Sequence, residues 1–281
     1  MSRVIDCVSI ANEVKARVKE RIEAENLKVT LAVVHVECDQ ASAVYVRNKK
    51  RACEAVGITS RIIRLANNTT EDELLGVIDM LNKDANINGI LVQLPLPEGI
   101  NELNIIHAIA PEKDVDGLHP TNMGKLMAGD TNGLFPCTPS GVIEVLEQSV
   151  VIDTFRGAKV AMVGASNLVG KPLGMMLTNM DATVTICNVY TPDIASITRE
   201  ADIVILATGN AKLFGVEYFR DDAIVIDVGI NRDENGKLCG DVDFANVVDN
   251  VGHITPVPKG IGVMTVAMLM QNTLRAYFLQ Q

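Results

Sequence analysis

Apolar and polar positions along this chain switch repeatedly between a helical and a strand period. Residues 10–25 carry apolar side chains at helical spacing, and KVTLAVVHV (28–36) follows as a buried strand. Asp39 is placed to cap a second helix through AVYVRNKKRACEAV (43–56), which Gly57 stops. TSRIIRL (59–65) reads as a short strand. TTEDELLGVIDMLNK (69–83) reads as a helix opened by Thr70 and Glu73, an S/T-x-x-E start. INGILVQLPLP (87–97) is another buried strand, ended by its prolines. Residues 111–139, rich in Gly, Pro, Asp and Asn, break the rhythm and are expected to form a long functional or linking loop.

A second run then begins. It comprises strand AKVAMVG (158–164), a helix from about Lys171, strand ATVTIC (182–187), helix ITREA (197–201), and strands DIVILAT (202–208) and AIVIDVGI (223–230). The stretch GVMTVAMLMQNTLRAYFL (262–279) is apolar and helical. Strands alternating with helices imply mostly parallel sheets covered on both faces. The 281 residues fit two α/β domains, a substrate domain over 1–138 and a Rossmann-type parallel-sheet nucleotide domain over 139–263.

Composition narrows the function classes. Aromatic residues are scarce and Trp is absent, so the cores are built from Val, Ile, Leu and Ala. The formal charge is −10, and no basic run offers a footprint for nucleic acid. Cys7, Cys38, Cys53, Cys137, Cys187 and Cys239 are widely spaced without a CxxC pair, and His35, His107, His119 and His253 make no close pair. Neither a zinc site nor a disulfide framework is expected. No apolar run reaches the roughly 18 residues of a membrane span, nor does the N-terminus read as a signal peptide. A soluble cytoplasmic protein is expected.

The candidate chemistry sits at a few places. Strand AKVAMVG runs into GASNLVGKP and a helix, with Gly164, Ser166 and Gly170 in place of the usual G-x-G-x-x-G. Such a turn either cradles a pyrophosphate or only packs tightly. The next strand ends in Cys187, Asn188 and Val189, without the acid that often binds ribose hydroxyls in NAD sites. Ser42, Tyr45 and Lys49, at i, i+3 and i+7, share one helical face. Tyr-x-x-x-Lys is also the pair of short-chain dehydrogenases, but here it precedes the glycine turn by over a hundred residues, in a separate α/β unit, which rejects that family. The plain alternative is a half-buried Tyr and a solvated Lys. Gln93 lies at the carboxyl end of a strand, where it either binds a ligand or caps its own loop. Asp114 and Asp116 lie in KDVDG, where turn chemistry alone is one sufficient explanation for both.

Taken together, YVRNKKRACEAVGI, GILVQLPLP, PEKDVDGLHPTNMGKL, PCTPSGV, GASNLVGKP, ATVTICN, ADIVILATG, AIVIDVGIN, GDVDF and ITPVPKGIGVMTVAML resemble the methylenetetrahydrofolate dehydrogenase/cyclohydrolases. They stand in family order over almost the whole chain. The resemblance implies a cleft between two domains, with the final helix (264–281) packed back on the first. It implies a cytoplasmic homodimer of one-carbon metabolism that supplies purine biosynthesis and acts on tetrahydrofolate derivatives, polyglutamylated forms among them. Lys49 matches the lysine of the cyclohydrolase step, Tyr45 the tyrosine packed on the folate, with Ser42 beside it. Gln93 matches the glutamine that tunes the lysine, and Asp116 the carboxylate that anchors the pterin. Gly164, Ala165, Ser166 and Ile230 match the cofactor contacts, and no metal is implied.

The family turn commonly reads Gly-Arg-Ser, its Arg facing the 2′-phosphate of NADP, whereas this chain has Ala165; Val189 likewise replaces a Ser. Lys259 and Val263 stand where the family usually has Gly and Pro. NADP is the implied cofactor, with NAD opened as an alternative by Ala165 and Val189. The remaining alternatives are a cyclohydrolase with weak dehydrogenase activity, a shikimate-type or amino-acid dehydrogenase, and a nucleotide sensor without chemistry.

Overall fold

The computed structural model describes residues 3–37, 40–149 and 151–281, with the backbone alone for residues 40–45. Asp39, the expected cap of the second helix, lies outside the described residues. The chain divides into two compact units, Glu13–Cys137 with Val266–Gln281, and Met1–Asn12 with Thr138–Thr265.

In the first unit the elements are α1 (Cys7–Ala24), β1 (Thr30–Val36), α2 (Gln40–Ala55), β2 (Thr59–Leu65), α3 (Glu71–Lys83), β3 (Gly89–Val92), α4 (Glu102–Ala108) and α5 (Pro120–Met127). The strands form a parallel sheet in the order β2-β1-β3. Leu31 through Val36 are buried without a break, as a central strand covered on both faces requires. Ala32, Val34 and Val36 of β1 and Ile90 and Val92 of β3 pack on Leu74, Ile78 and Leu81 of α3 and on Ile105 of α4. The opposite face receives α2, whose Val46, Cys53 and Val56 side are buried. Gly57, which ends that helical segment, takes a φ of +84°, a left-handed conformation that glycine adopts without strain. Thr70 and Glu73 form the complete capping box on α3.

The expected loop over 111–139 is only partly one. It contains α5, entered through His119, whose Nδ1 accepts from the Thr121 N–H, with Pro120 in the first helical position. At Cys137 the next helix begins. Folding also brings the His107 and His119 rings to 6.2 Å, a pair the sequence spacing does not reveal. Among the described residues, no three His, Cys, Asp or Glu side chains group to hold a metal.

In the second unit the elements are α6 (Cys137–Gln148), β4 (Lys159–Val163), α7 (Gly170–Asn179), β5 (Thr183–Cys187), α8 (Ile194–Arg199), β6 (Ile203–Leu206), β7 (Ile224–Asp227), β8 (Asn231–Arg232), β9 (Leu238–Cys239), α9 (Phe244–Val247) and β10 (His253–Ile254); α10 (Ile261–Leu279) begins here and from Val266 on belongs to the first unit. Its parallel sheet runs β10-β7-β6-β4-β5. The chain winds outward from β4 to β5, then returns past it to β6, so the strand order reverses at the β4–β6 step. In open α/β sheets that switch point is where ligands bind, at the carboxyl ends of the strands. Residues up to Asn12 group with this unit, not with the substrate domain to which the sequence assigns them. The cause is sheet pairing at the edge: Ile5 N–H donates to the Ile254 carbonyl at 2.9 Å, and Ile254 N–H to that of Arg3 at 2.8 Å.

Candidate active site

Lys49 lies on α2 one turn from Val46 and Cys53, on the side turned to the sheet. Its Nζ donates to Gln93 Oε1 at 2.9 Å. Gln93 is fixed twice more: its Nε2 donates to the Leu94 carbonyl at 2.6 Å, and its backbone N–H to that of Val34 at 2.9 Å. The carboxamide therefore presents its oxygen to the lysine. The backbone of α2 places Ser42 and Tyr45 seven and four residues before Lys49; their side chains lie outside the described residues.

The two carboxylates of KDVDG separate in role. Asp114 is buried and accepts from the His119 N–H at 2.8 Å, the Gly117 N–H at 3.2 Å and Asn122 Nδ2 at 3.0 Å. Burial still holds its carboxyl above the usual range. Asp114 is a strut of the turn. No donor among the described residues takes the oxygens of Asp116. Desolvation pushes its pKa up to about 6, while the nearby Lys49 charge pulls it down and Asp114 pushes it up. Lys49, Gln93 and Asp116 thus come together, a carboxylate and an ammonium beside one neutral amide.

Several supporting residues escape a reading of the sequence. Asn272 Nδ2 donates to the carbonyls of Val115 and Phe135 at 2.9 and 2.8 Å, pinning the segment on either side of Asp116. At Gly117, with φ of +73°, a Cβ would come within 2.2 Å of the Phe135 backbone, so only glycine lets the two stretches approach. Lys113 is buried and donates to three carbonyls at the end of α3. A lysine in an Asp-rich turn reads as a solvated charge, and nothing local signals otherwise.

In the second unit, Gly164 follows β4 with φ of +122°, where a Cβ would lie 2.3 Å from the Ala207 carbonyl oxygen at the end of β6. A Cβ on Gly170 would lie 1.8 Å from the Gly164 oxygen. The turn is therefore wound tightly at the strand-order switch, and it leads into the first turn of α7. Ser166 Oγ accepts from the Val169 N–H, and its carbonyl from the Lys171 N–H. This cradle suits a dinucleotide, because a pyrophosphate needs close backbone approach and a helix start. Ala165 brings no charge to it, and Lys171 Nζ is engaged by Asn167 Oδ1 at 2.7 Å. Val189, an apolar side chain after β5, is 88% exposed. Ile230, just past β7, is exposed.

The loop after β6, next to the Gly164 turn, is held by a buried acid. Asp241 Oδ2 accepts from Thr208 N–H and Oγ1 and from Gly209 N–H; its Oδ1 accepts from Asn210 N–H and Asn231 Nδ2. Asp227 accepts from the Gly229, Asp241 and Val242 N–H groups, and burial pushes its pKa up to about 6.

Family models agree with both halves. Residues 5–116 match the catalytic domain of tetrahydrofolate dehydrogenase/cyclohydrolase, and residues 136–281 match its NAD(P)-binding domain. The chain belongs to this family. It is 48% identical to the bifunctional protein FolD of Agathobacter rectalis, over 98% of this chain and 99% of that protein. The fold matches the bifunctional FolD methylenetetrahydrofolate dehydrogenase/cyclohydrolase of Campylobacter jejuni at a TM-score of 0.95, with 41% identity and 99% of each chain covered. The Trypanosoma brucei FolD, solved with NADP cofactor and inhibitor, matches at 0.91, with 35% identity over 99% of this chain and 97% of that one. The family's two α/β parts, one catalytic and one NAD(P)-binding, are both present here.

Proposed function

We propose that this chain carries out two consecutive conversions of a folate-borne one-carbon unit. The first oxidises 5,10-methylenetetrahydrofolate to 5,10-methenyltetrahydrofolate with NADP, and the second hydrolyses the product to 10-formyltetrahydrofolate. The observation that carries this reading is the Lys49–Gln93 hydrogen bond of 2.9 Å beside the Asp116 carboxylate, which has no donor among the described residues. Family membership supports the pairing of the two activities.

Asp116, when ionised, accepts from adjacent ring N–H and amino donors, which suits a pterin. Tyr45 packs on the folate, with Ser42 beside it. Hydrolysis needs a proton acceptor for the attacking water and a donor for the departing ring nitrogen. Lys49 serves both turns, taking the water's proton and passing it to nitrogen. Gln93 orients the amine without fixing its charge, as a carboxylate partner would.

A bound nicotinamide dinucleotide supplies the hydride acceptor for the first step. Gly164, Ala165, Ser166 and Ile230 would hold it. The oxidation asks the chain for no strong base, because the substrate's nitrogen lone pairs stabilise the cation that forms; the protein's task is alignment.

Ala165, Val189 and the engaged Lys171 favour a second reading of cofactor use, a cyclohydrolase whose dehydrogenase step is weak or turns to NAD. Initial rates on 5,10-methylenetetrahydrofolate with NADP and with NAD, following methenyl formation and decay, decide between them. Oxidation by neither cofactor, with intact methenyl hydrolysis, leaves the cyclohydrolase alone; absence of both activities removes the proposal. By the same resemblance the enzyme works as a cytoplasmic homodimer on polyglutamylated folates. No described helix is long and apolar enough to cross a membrane.

A further inference from the structure

His35, in β1, is 3% exposed, and its Nε2 is enclosed without a hydrogen-bond partner among the described residues. A buried polar atom left unpaired is costly, because water's hydrogen bonds are lost and nothing replaces them. Its position in the sheet gives that atom a use. Leu31 pairs with Gly89 and Val33 with Leu91. The Gln93 N–H, donating to the Val34 carbonyl at 2.9 Å, carries the ladder one step past β3. His35 and Gln93 therefore stand side by side on neighbouring strands, about 4.8 Å apart along the hydrogen-bonding direction.

Both point the same way. Side chains alternate along a strand, and Ala32, Val34, Val36, Ile90 and Val92 all face the core shared with α3 and α4. His35 and Gln93 share the other face, where α2 delivers Lys49 to Gln93 Oε1. The unpartnered imidazole nitrogen thus neighbours the amide that holds the hydrolytic lysine.

We propose that His35 is a positioning residue for the hydrolytic step. When the Lys49 amine leaves Gln93 for the substrate, His35 Nε2–H takes its place as donor to Gln93 Oε1. Without a second donor, the lysine's departure leaves the carbonyl oxygen of the half-buried Gln93 without a protein partner, and that loss opposes every turnover. With it, the amide stays satisfied and in the same orientation for the lysine's return. No proton changes owner in this exchange. The role rests on the reading of Lys49 given above.

The test compares His35→Leu with His35→Gln in the full-length enzyme. Leucine continues the apolar run of Leu31 and Val33 and removes only the donor; glutamine restores an N–H. Expected for His35→Leu is a fall in methenyl hydrolysis kcat of about five- to tenfold, the worth of one hydrogen bond. Dehydrogenase kcat and folate KM stay within about twofold, since neither uses the exchange, and His35→Gln regains most of the lost rate. A His35→Leu enzyme hydrolysing at the wild-type rate overturns the proposal, as does a parallel loss of both activities or a His35→Gln enzyme as slow as His35→Leu. Lys49→Met, assayed alongside, separates the two claims. Near-normal hydrolysis there defeats the reading of the site and the role of His35 with it, whereas a dead Lys49→Met enzyme beside a normal His35→Leu enzyme defeats only the latter.

Discussion

The Lys113 ammonium donates to the backbone carbonyl of Asp84 at 2.9 Å, joining the segment that carries Asp116 to the carboxyl end of α3. The same Nζ donates to Asn82 O at 2.8 Å and Leu81 O at 3.2 Å. Three carbonyls that the helix itself cannot satisfy are thereby closed by one buried cation. Lys113→Met leaves the Leu81 and Asn82 carbonyls unpaired, the Asp84 carbonyl keeping the Ile87 N–H at 3.1 Å, and a loss of about 2–4 kcal/mol is expected. The measurement is the urea midpoint, which should fall at unchanged slope. Because the turn next to Asp116 loosens, folate KM should rise too. Unchanged stability would mean that water replaces the ammonium without cost.

That lysine illustrates what the sequence does and does not reveal. The Thr70–Glu73 box is legible because donor and acceptor lie within one helical turn, and both of its bonds form, at 2.8 and 3.3 Å. The buried strand 30–36 is legible because a parallel sheet covered on both faces demands an apolar run. α5 is hidden: its composition is that of a loop, and the fold stabilises it through the His119 cap and the buried Asn122 and Leu126. Lys49 and Gln93 lie 44 residues apart, so periodicity can offer each alone and only the resemblance joins them. Asp241 and His35 carry no local pattern at all, since the groups around them come from other strands and loops.

Lys49→Met should abolish methenyl hydrolysis, a fall of roughly 10²–10⁴-fold if one positioned acid–base group is lost. The protein should stay folded, because methionine keeps the apolar stem that packs beside Val46 and Cys53. Decay of methenyltetrahydrofolate, corrected for the uncatalysed rate, is the measurement. Retained hydrolysis would remove Lys49 from the chemistry.

Asp116 links two pH dependences of opposite sign. Its folded pKa of about 6 lies above the ordinary 3.8, so between those values the folded state holds a proton the unfolded chain has released. Stability contributed by this group is therefore greatest below the lower value, falls as pH rises through the window, and is flat above it. Folate binding should move the other way, strengthening as pH rises through about 6 and the carboxylate becomes able to accept from the pterin. Asp227, also near 6, adds a stability slope of the same sign. The informative quantity is thus the difference between wild type and Asp116→Asn. The variant should lose the pH dependence of folate KM in this range; a dependence that persists would assign it to another group.

Ala165→Arg should restore a charge-assisted contact to the 2′-phosphate. Such a bond is worth about 1.5–3 kcal/mol, so kcat/KM for NADP relative to NAD should rise roughly tenfold to a hundredfold. Methenyl hydrolysis should not change. Steady-state rates with both cofactors measure it. An unaltered ratio would mean that the side chain at this position does not reach the ribose phosphate.

Asp241→Asn tests the 208–210 loop next to the Gly164 turn. All five groups around the carboxylate are donors, so both oxygens must accept: Oδ2 from Thr208 N–H, Thr208 Oγ1 and Gly209 N–H, and Oδ1 from Asn210 N–H and Asn231 Nδ2. An asparagine can replace only one oxygen. Its NH₂ must then face two or three donors in a buried site, which leaves them unpaired and pushes the 208–210 loop away. That loop follows β6 and stands next to the Gly164 turn, so the change should reach the cofactor before it reaches the folate. The expected result is a rise of about tenfold or more in KM for NADP, with hydrolysis by Lys49 and Gln93 close to wild type. Equal loss of both activities would show that Asp241 holds the unit together and does not shape the cofactor site in particular. An unchanged KM would show that the loop keeps its course without the acid.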